Sequence, residues 1–303
     1  PGMLLALLTW QIKEPPRGLS EGLISSESKN PLKETFKELV GLTPFGLVGS
    51  DNFKKELSIH IIFTVLIFLA SYYLYVLTGD FLQWTAFGIG VYVICNWIHG
   101  LKNRDPVAFL LIFKSKALLL GLLSFPFITF VTYALGAFGP SFYIRNFSMT
   151  ATEVGIIYGL ITVFGSMIGV ICGGILGDKL RETYVNGKLY LIMASAVLTG
   201  VTAIGFIHSE NLVASFTWKF VYHIASTAWL GCAASTVTEL VLPRLRAVAS
   251  AFFILMLSMI GLALGPYLTG MVSDIYINSG LLPGPALKNA MTLTLVVLVL
   301  PFG

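Results

Sequence analysis

The sequence predicts an all-α polytopic membrane protein, and three observations carry that reading. Only 11% of the 303 residues are charged, against 56% hydrophobic, and the mean hydropathy is +0.84. A soluble domain carries about a quarter charged residues, so this chain lacks the polar surface to face water all round. The apolar residues also gather into charge-free stretches of about the 20 residues a helix needs to cross the hydrocarbon core. Finally, these stretches do not alternate polar and apolar positions, as the strands of a membrane barrel do. The composition excludes a soluble globular enzyme, a disordered chain and a disulfide scaffold. Cys95, Cys172 and Cys232 lie inside apolar stretches and read as small core residues.

Taken in order, a short apolar piece ends near Gln11, and full spans follow at 57–78, 81–101, 117–143, 154–177, 189–207, 211–238 and 247–273. A truncated span starts near 289. Gly79-Asp80 alone separates the spans 57–78 and 81–101, which predicts a tight helical hairpin. Of the nineteen basic residues, sixteen fall on alternate connections (12–56, 102–116, 178–188 and 239–246), which are therefore assigned to the cytoplasm. The opposite connections carry only Arg145 and Lys288, and Lys219 alone lies within a span. The net charge of +4 reflects this topology, so no nucleic-acid surface is needed to explain it.

The segment 12–56 reads as a cytoplasmic connector. Asn30-Pro31 resembles an N-cap with proline at the first helical position. Leu32, Phe36, Leu39 and Val40 then share a face, opposite Lys33, Glu34, Lys37 and Glu38. A short helix lying on the membrane surface fits this pattern, and a solvated linker is the alternative. The chain opens on Pro1-Gly2 and an apolar stretch without a basic n-region, which is not the pattern of a secretory signal. It closes partway through another apolar stretch, so it reads as a piece of a longer protein.

Two spans form an internal repeat. The span 154–177 carries Gly165, Gly169, Gly173 and Gly174, with Asp178 following; the span 247–273 carries Gly261, Gly265 and Gly270, with Asp274 following. By the charge count the first runs inward and the second outward. Small residues at this spacing let helix backbones approach closely, and similar helices of opposite topology mark the inverted repeats of many secondary transporters. Static packing is the plainer reading of any one such stripe.

Several stretches, in this order, carry a more specific likeness: Glu14-Pro15-Pro16-Arg17-Gly18; Gly139-Pro140-Ser141-Phe142-Tyr143-Ile144-Arg145 with Glu153-Val154-Gly155; Gly173-Gly174-Ile175-Leu176-Gly177-Asp178-Lys179; Leu242-Pro243-Arg244-Leu245-Arg246-Ala247; and Gly265-Pro266. Together they resemble the C-terminal half of a major facilitator superfamily transporter, most similar to the Spinster-like branch. The resemblance implies a C-terminal six-helix bundle of that fold, here preceded by an extra helical hairpin at 57–101. It also implies alternating-access, proton- or gradient-coupled movement of a small organic or lipid-like amphiphile, and a missing N-terminal half that carries the coupling residues. The chain departs from the pattern at Arg181, where the cytoplasmic motif usually has glycine. An integral position in a bacterial inner membrane, with the lipid bilayer and the substrate as partners, is the expectation.

Among individual residues, Lys219 is the most costly to place, and intramembrane charges usually face a cavity or a partner. His223 lies one turn further in on the same face, with Tyr222 beside it. A cation and an imidazole so placed suit an anionic headgroup or carboxylate; the alternative is a snorkelling lysine and a packed histidine. Thr129, Thr132 and Tyr133, after a bend expected at Pro126, are candidates for the same cavity or for helix-to-helix hydrogen bonds. Asp178, Lys179, Arg181, Arg244 and Arg246 are candidates for an inner gate, although basic residues there also fix topology. Arg145 and Glu153 are candidates for an outer gate. Gly165, Gly169, Gly173, Gly174, Gly261, Gly265, Pro266 and Gly270 are candidates for close packing and hinging.

No cofactor or metal is implied. His60, His99, His208 and His223 show no metal-ligand spacing with acids, and nucleophile-elbow, Walker and zinc-protease motifs are missing from the sequence. A membrane-embedded transferase using His60 or His99 is a formal alternative, and a scaffold or receptor with the same fold is another.

Overall fold

The computed structural model describes Thr9 and residues 53–302. The expected leading span, the surface helix near Asn30-Pro31 and the Glu14–Gly18 motif lie outside the described residues, apart from Thr9. Among the described residues every regular element is helical. The hairpin is α1 (Phe53–Thr78) and α2 (Phe81–Arg104). Gly79, at φ +83, makes the turn between them in a conformation that side-chain-bearing residues rarely adopt.

A short helix, α3 (Pro106–Phe113), follows where the sequence reading placed only a cytoplasmic connection. Its cue was present: the Asp105 carboxylate accepts from the Ala108 amide at 2.8 Å, and Pro106 occupies the first turn. The bundle proper comprises α4 (Lys116–Phe147), α5 (Ala151–Thr183), α6 (Gly187–His208), α7 (Leu212–Ala228), α8 (Leu230–Glu239), α9 (Arg246–Met256), α10 (Gly265–Asn278) and α11 (Pro283–Thr294). Helix α4 runs on through both Pro126 and Pro140. The expected span 211–238 is interrupted at Trp229, whose backbone stays right-handed helical.

The expected span 247–273 is more deeply broken. A π segment, Leu257–Leu262, and a turn at Ala263-Leu264 separate α9 from α10. The last span begins earlier than expected, at Pro283, because proline suits a helix's first turn and Lys288 is accommodated within the helix. Among the described residues, seven helices or broken helices are long and apolar enough to cross a membrane, by length and composition.

The glycine stripes explain how the bundle closes. A Cβ at Gly169 would stand 2.4 Å from the Ile224 carbonyl oxygen, and one at Gly173 would stand 2.0 Å from that of Ala228. A Cβ at Gly165 would meet His223 Cβ at 2.7 Å, and one at Gly177 the Cys232 sulfur at 2.1 Å. So α5 lies with its backbone against α7 and α8. The second stripe does the same to α4: a Cβ at Gly265 would stand 2.5 Å from the Phe130 carbonyl oxygen, and one at Gly261 2.7 Å from Thr129. Gly270 faces the Phe138 ring. The packing is reciprocal. With the spans taken in chain order as α4, α5, α6 and then α7–α8, α9–α10, α11, each stripe lies against the helix that opens the other set of three. Gly174 is the exception to the expected stripe, since nothing lies within 4 Å of its Cβ position; Gly177 takes its place.

At the inner end, as the charge reading assigns it, Lys188 and Glu239 form an ion pair that ties α6 to α8. At the outer end, the Asn146 amide donates to the Gly284 carbonyl at 3.5 Å, and His208 meets Thr292 at 3.0 Å. Cys232 is buried and Cys95 half-buried, but Cys172 is exposed on α5 and is not a core residue, because the glycine face of that helix is the one turned inward.

Candidate functional site

Asn211 opens α7, its side chain accepting from the Val213 amide at 2.8 Å. Two turns on, Lys219 is fully buried. Its ammonium lies 4.2 Å from the centre of the Phe206 ring, 4.4 Å from that of Tyr222 and 5.0 Å from that of Tyr158. Three helices thus build the cage: α5 gives Tyr158, α6 Phe206 and α7 Tyr222. Among the described residues no hydrogen-bond partner reaches the Lys219 Nζ, and the Tyr222 hydroxyl is likewise buried without one. Thr132 and Ser226 face that hydroxyl without closing a hydrogen bond.

The energetics are unusual for a buried cation. Each desolvated ring face contributes about 2 kcal/mol, so three are of the same order as the several kcal/mol that burying an ion costs. The rings stand in for hydration, and among the described residues no carboxylate pairs with the charge. Lys219 therefore does not snorkel.

Neighbouring contacts hold the cage in shape. His223 Nε2 lies 3.0 Å from the Thr162 hydroxyl on α5, and its ring meets Tyr158 edge-on at 6.0 Å. Tyr143 stacks on Phe216 at 4.3 Å, while its hydroxyl and that of Ser215 lie 3.1 Å apart. Ser215 donates in turn to the Phe206 carbonyl at 2.8 Å. Gly139 makes the room, since a Cβ there would fall 2.2 Å from the Tyr158 hydroxyl. Tyr158, Phe206 and Phe216 were not singled out in the sequence. An isolated aromatic in an apolar helix gives no signal until the helices are paired.

The other expected cavity residues separate. Thr132 is half-buried, donates to the Ile128 carbonyl at 3.0 Å and borders Tyr222. Thr129 instead packs on Gly261 in the π segment, and Tyr133 is exposed. Helical periodicity sets this division: one turn of α4 spans positions that face three different neighbours.

At the inner end Asp178, Lys179 and Arg181 are exposed, and Arg181 donates to the Val185 carbonyl just beyond its own helix. Arg246 is exposed, and the Arg244 side chain lies outside the described residues. The ion pair that ties two helices there, Lys188–Glu239, was not anticipated.

Outside, Arg145 is exposed in the last turn of α4. Glu153 corrects the reading made of it. Its carboxylate accepts from the Thr150 amide at 2.9 Å and the Thr150 hydroxyl at 2.8 Å, so it closes a capping box instead of pairing with Arg145. Its sequence signature, Thr-x-x-Glu before an apolar run, was legible.

The histidines of the hairpin meet in space. His60 Nδ1 lies 3.0 Å from the Tyr92 hydroxyl, and His99 Nε2 3.1 Å from the Glu56 carboxylate, which also accepts from Asn103 at 2.8 Å. The three-group arrangement a metal needs is not found among the described residues.

No protein-family model matches the chain. It is 32% identical over 149 residues to an MFS-type (major facilitator superfamily) efflux pump of Mycolicibacterium smegmatis, an alignment covering 49% of this chain and 34% of the pump. It is 26% identical over 173 residues to Protein spinster of Drosophila melanogaster, covering 53% of this chain and 28% of that protein. The chain is homologous to major facilitator transporters of the Spinster type.

A solved structure agrees on the fold. The bacterial homologue of the human lysosomal transporter Spinster, inward-facing and occupied, superposes at a TM-score of 0.56 over 73% of this chain and 55% of that one, at 23% identity. Its unoccupied form gives 0.55. The chain spans about a third of the length of these curated relatives and about half of the solved homologue. With its membrane-length helices and these relatives, it is an integral, multi-pass membrane protein.

Proposed function

We propose that the chain is the C-terminal bundle of a secondary active transporter, completed by an N-terminal half, that moves a small organic or lipid-like amphiphile by proton-coupled alternating access. Residues 12–56 would connect the halves on the cytoplasmic side of a bacterial inner membrane. The observation that carries the reading is Lys219: fully buried, ringed by aromatics and, among the described residues, without a carboxylate partner, in a homologue of transporters. An amphiphile with an anionic headgroup would match the cation and its aromatic ring faces once α5, α6 and α7 part, since Lys219, Phe206 and Tyr222 are fully buried here. Tyr222, His223 and Thr132 would border that headgroup, with Thr129 and Tyr133 on the same helix α4 further along its path.

The glycine stripes are compatible with movement, because close, ungreased backbone contacts are what two bundles need in order to rock past each other. Asp178 is the proposed inner-gate acid, with Lys179, Arg181, Arg244 and Arg246 as its basic surroundings and Arg145 as the outer counterpart. Thermal stability of the full-length protein in mild detergent tests the substrate class, since ligand binding to the native state raises the melting temperature. We expect a shift with lysolipid-like amphiphiles that Lys219→Ala abolishes. A shift only with small polar anions would return the protein to organic-anion transport. In Asp178→Asn the shift should persist while gradient-driven flux is lost; binding without flux in the parent itself would point to a receptor or scaffold.

A further inference from the structure

The helix pair α1–α2 is extra to the six-helix bundle that the sequence resemblance implies, and besides α3 its side chains meet one broken helix. Helix α2 runs along the broken helix α9–α10 and touches it on both sides of the break. At the inner side the Trp97 ring stacks on Phe252 of α9 at 5.4 Å. At the middle Gly90 seats the Met259 side chain of the π segment, whose sulfur a Cβ would meet at 2.7 Å. At the outer side the Gln83 side-chain amide donates to the Ala263 carbonyl at 3.2 Å. The Tyr267 hydroxyl of α10 donates to the Asp80 carboxylate at 2.7 Å, and Trp84 meets the Tyr267 ring edge-on at 5.3 Å.

The break needs such support. Pro266 has no N–H and withdraws the donor that the Leu262 carbonyl would use in a continuous helix. The Ala263 amide bonds back to the Ser258 carbonyl in π register, at 2.9 Å. Within a bilayer no water replaces missing partners, and π segments and interrupted helices are where membrane proteins take up conformational change. Helix α1 packs on α2, and the core of its span is not buried at all, so the grip on the break belongs to α2.

We infer that the hairpin is a splint: α2 bridges the break and holds α9 and α10 at one angle, with Gln83 and Asp80 as its outer latch. This is a property of the fold and does not depend on what is transported. Backbone amide hydrogen exchange of the full-length protein in lipid nanodiscs tests it, comparing the parent with Gln83→Leu and with Tyr267→Phe. Each substitution removes one latch donor and keeps the side chain's bulk. Residues 257–268 should exchange roughly three- to tenfold faster in either variant, the effect of losing one net hydrogen bond, while α5 and α7 keep the parent's rates. Unchanged exchange at 257–268 in both variants would overturn the splint. So would a uniform rise across the bundle, which would mean general destabilisation.

Discussion

A lysine in a bilayer normally declares itself by its partner, and Lys219 has rings instead. Its three ring faces contribute about as much as burying the ion costs, several kcal/mol, so an apolar side chain of similar length replaces it at little net cost. Lys219→Met should therefore melt near the parent's temperature while losing ligand response, a separation of stability from function read by thermal unfolding with and without amphiphile. A marked fall in melting temperature would make the lysine a structural residue. The position was legible in the sequence as the single basic residue inside a span. Its surroundings were not, because Tyr158 and Phe206 come from helices whose rotation no single-chain pattern records. Glu153 shows the reverse: local spacing already held the answer, and charge alone misled.

Helices were the most legible part, since span length and charge alternation follow from the bilayer itself. Helix α3 is too short to register as a span, and the interruption at Trp229 had no local mark. The break at 257–264 was marked by Gly261, Gly265 and Pro266, but no periodicity placed it within the span. The glycine stripe was legible as a stripe, but its phase was not: Gly174 sits in open space while Gly173 meets Ala228. Two neighbouring substitutions make this a sharp test. Gly173→Ala should destabilise by about 1–3 kcal/mol through overpacking, whereas Gly174→Ala should be neutral or gain up to about 1 kcal/mol from helix propensity. Thermal unfolding in detergent compares them directly, and equal effects would contradict the packing of α5 on α7.

Across the whole molecule, the arrangement is two interlocked triplets with a splinted helix on one side and a caged cation near the outer end. The reciprocal stripes are backbone-to-backbone contacts, where an added side chain is least tolerated. The caged lysine lies where α5, α6 and α7 meet, so any ligand that draws on its charge is coupled to the relation between those helices. Gradient-driven uptake of a lysolipid-like amphiphile into proteoliposomes containing the full-length protein, parent against Lys219→Met at matched reconstitution, tests this most directly. Uptake by the parent that is lost in the variant is the expected result; equal uptake by both, or none by the parent under any imposed gradient, would contradict it.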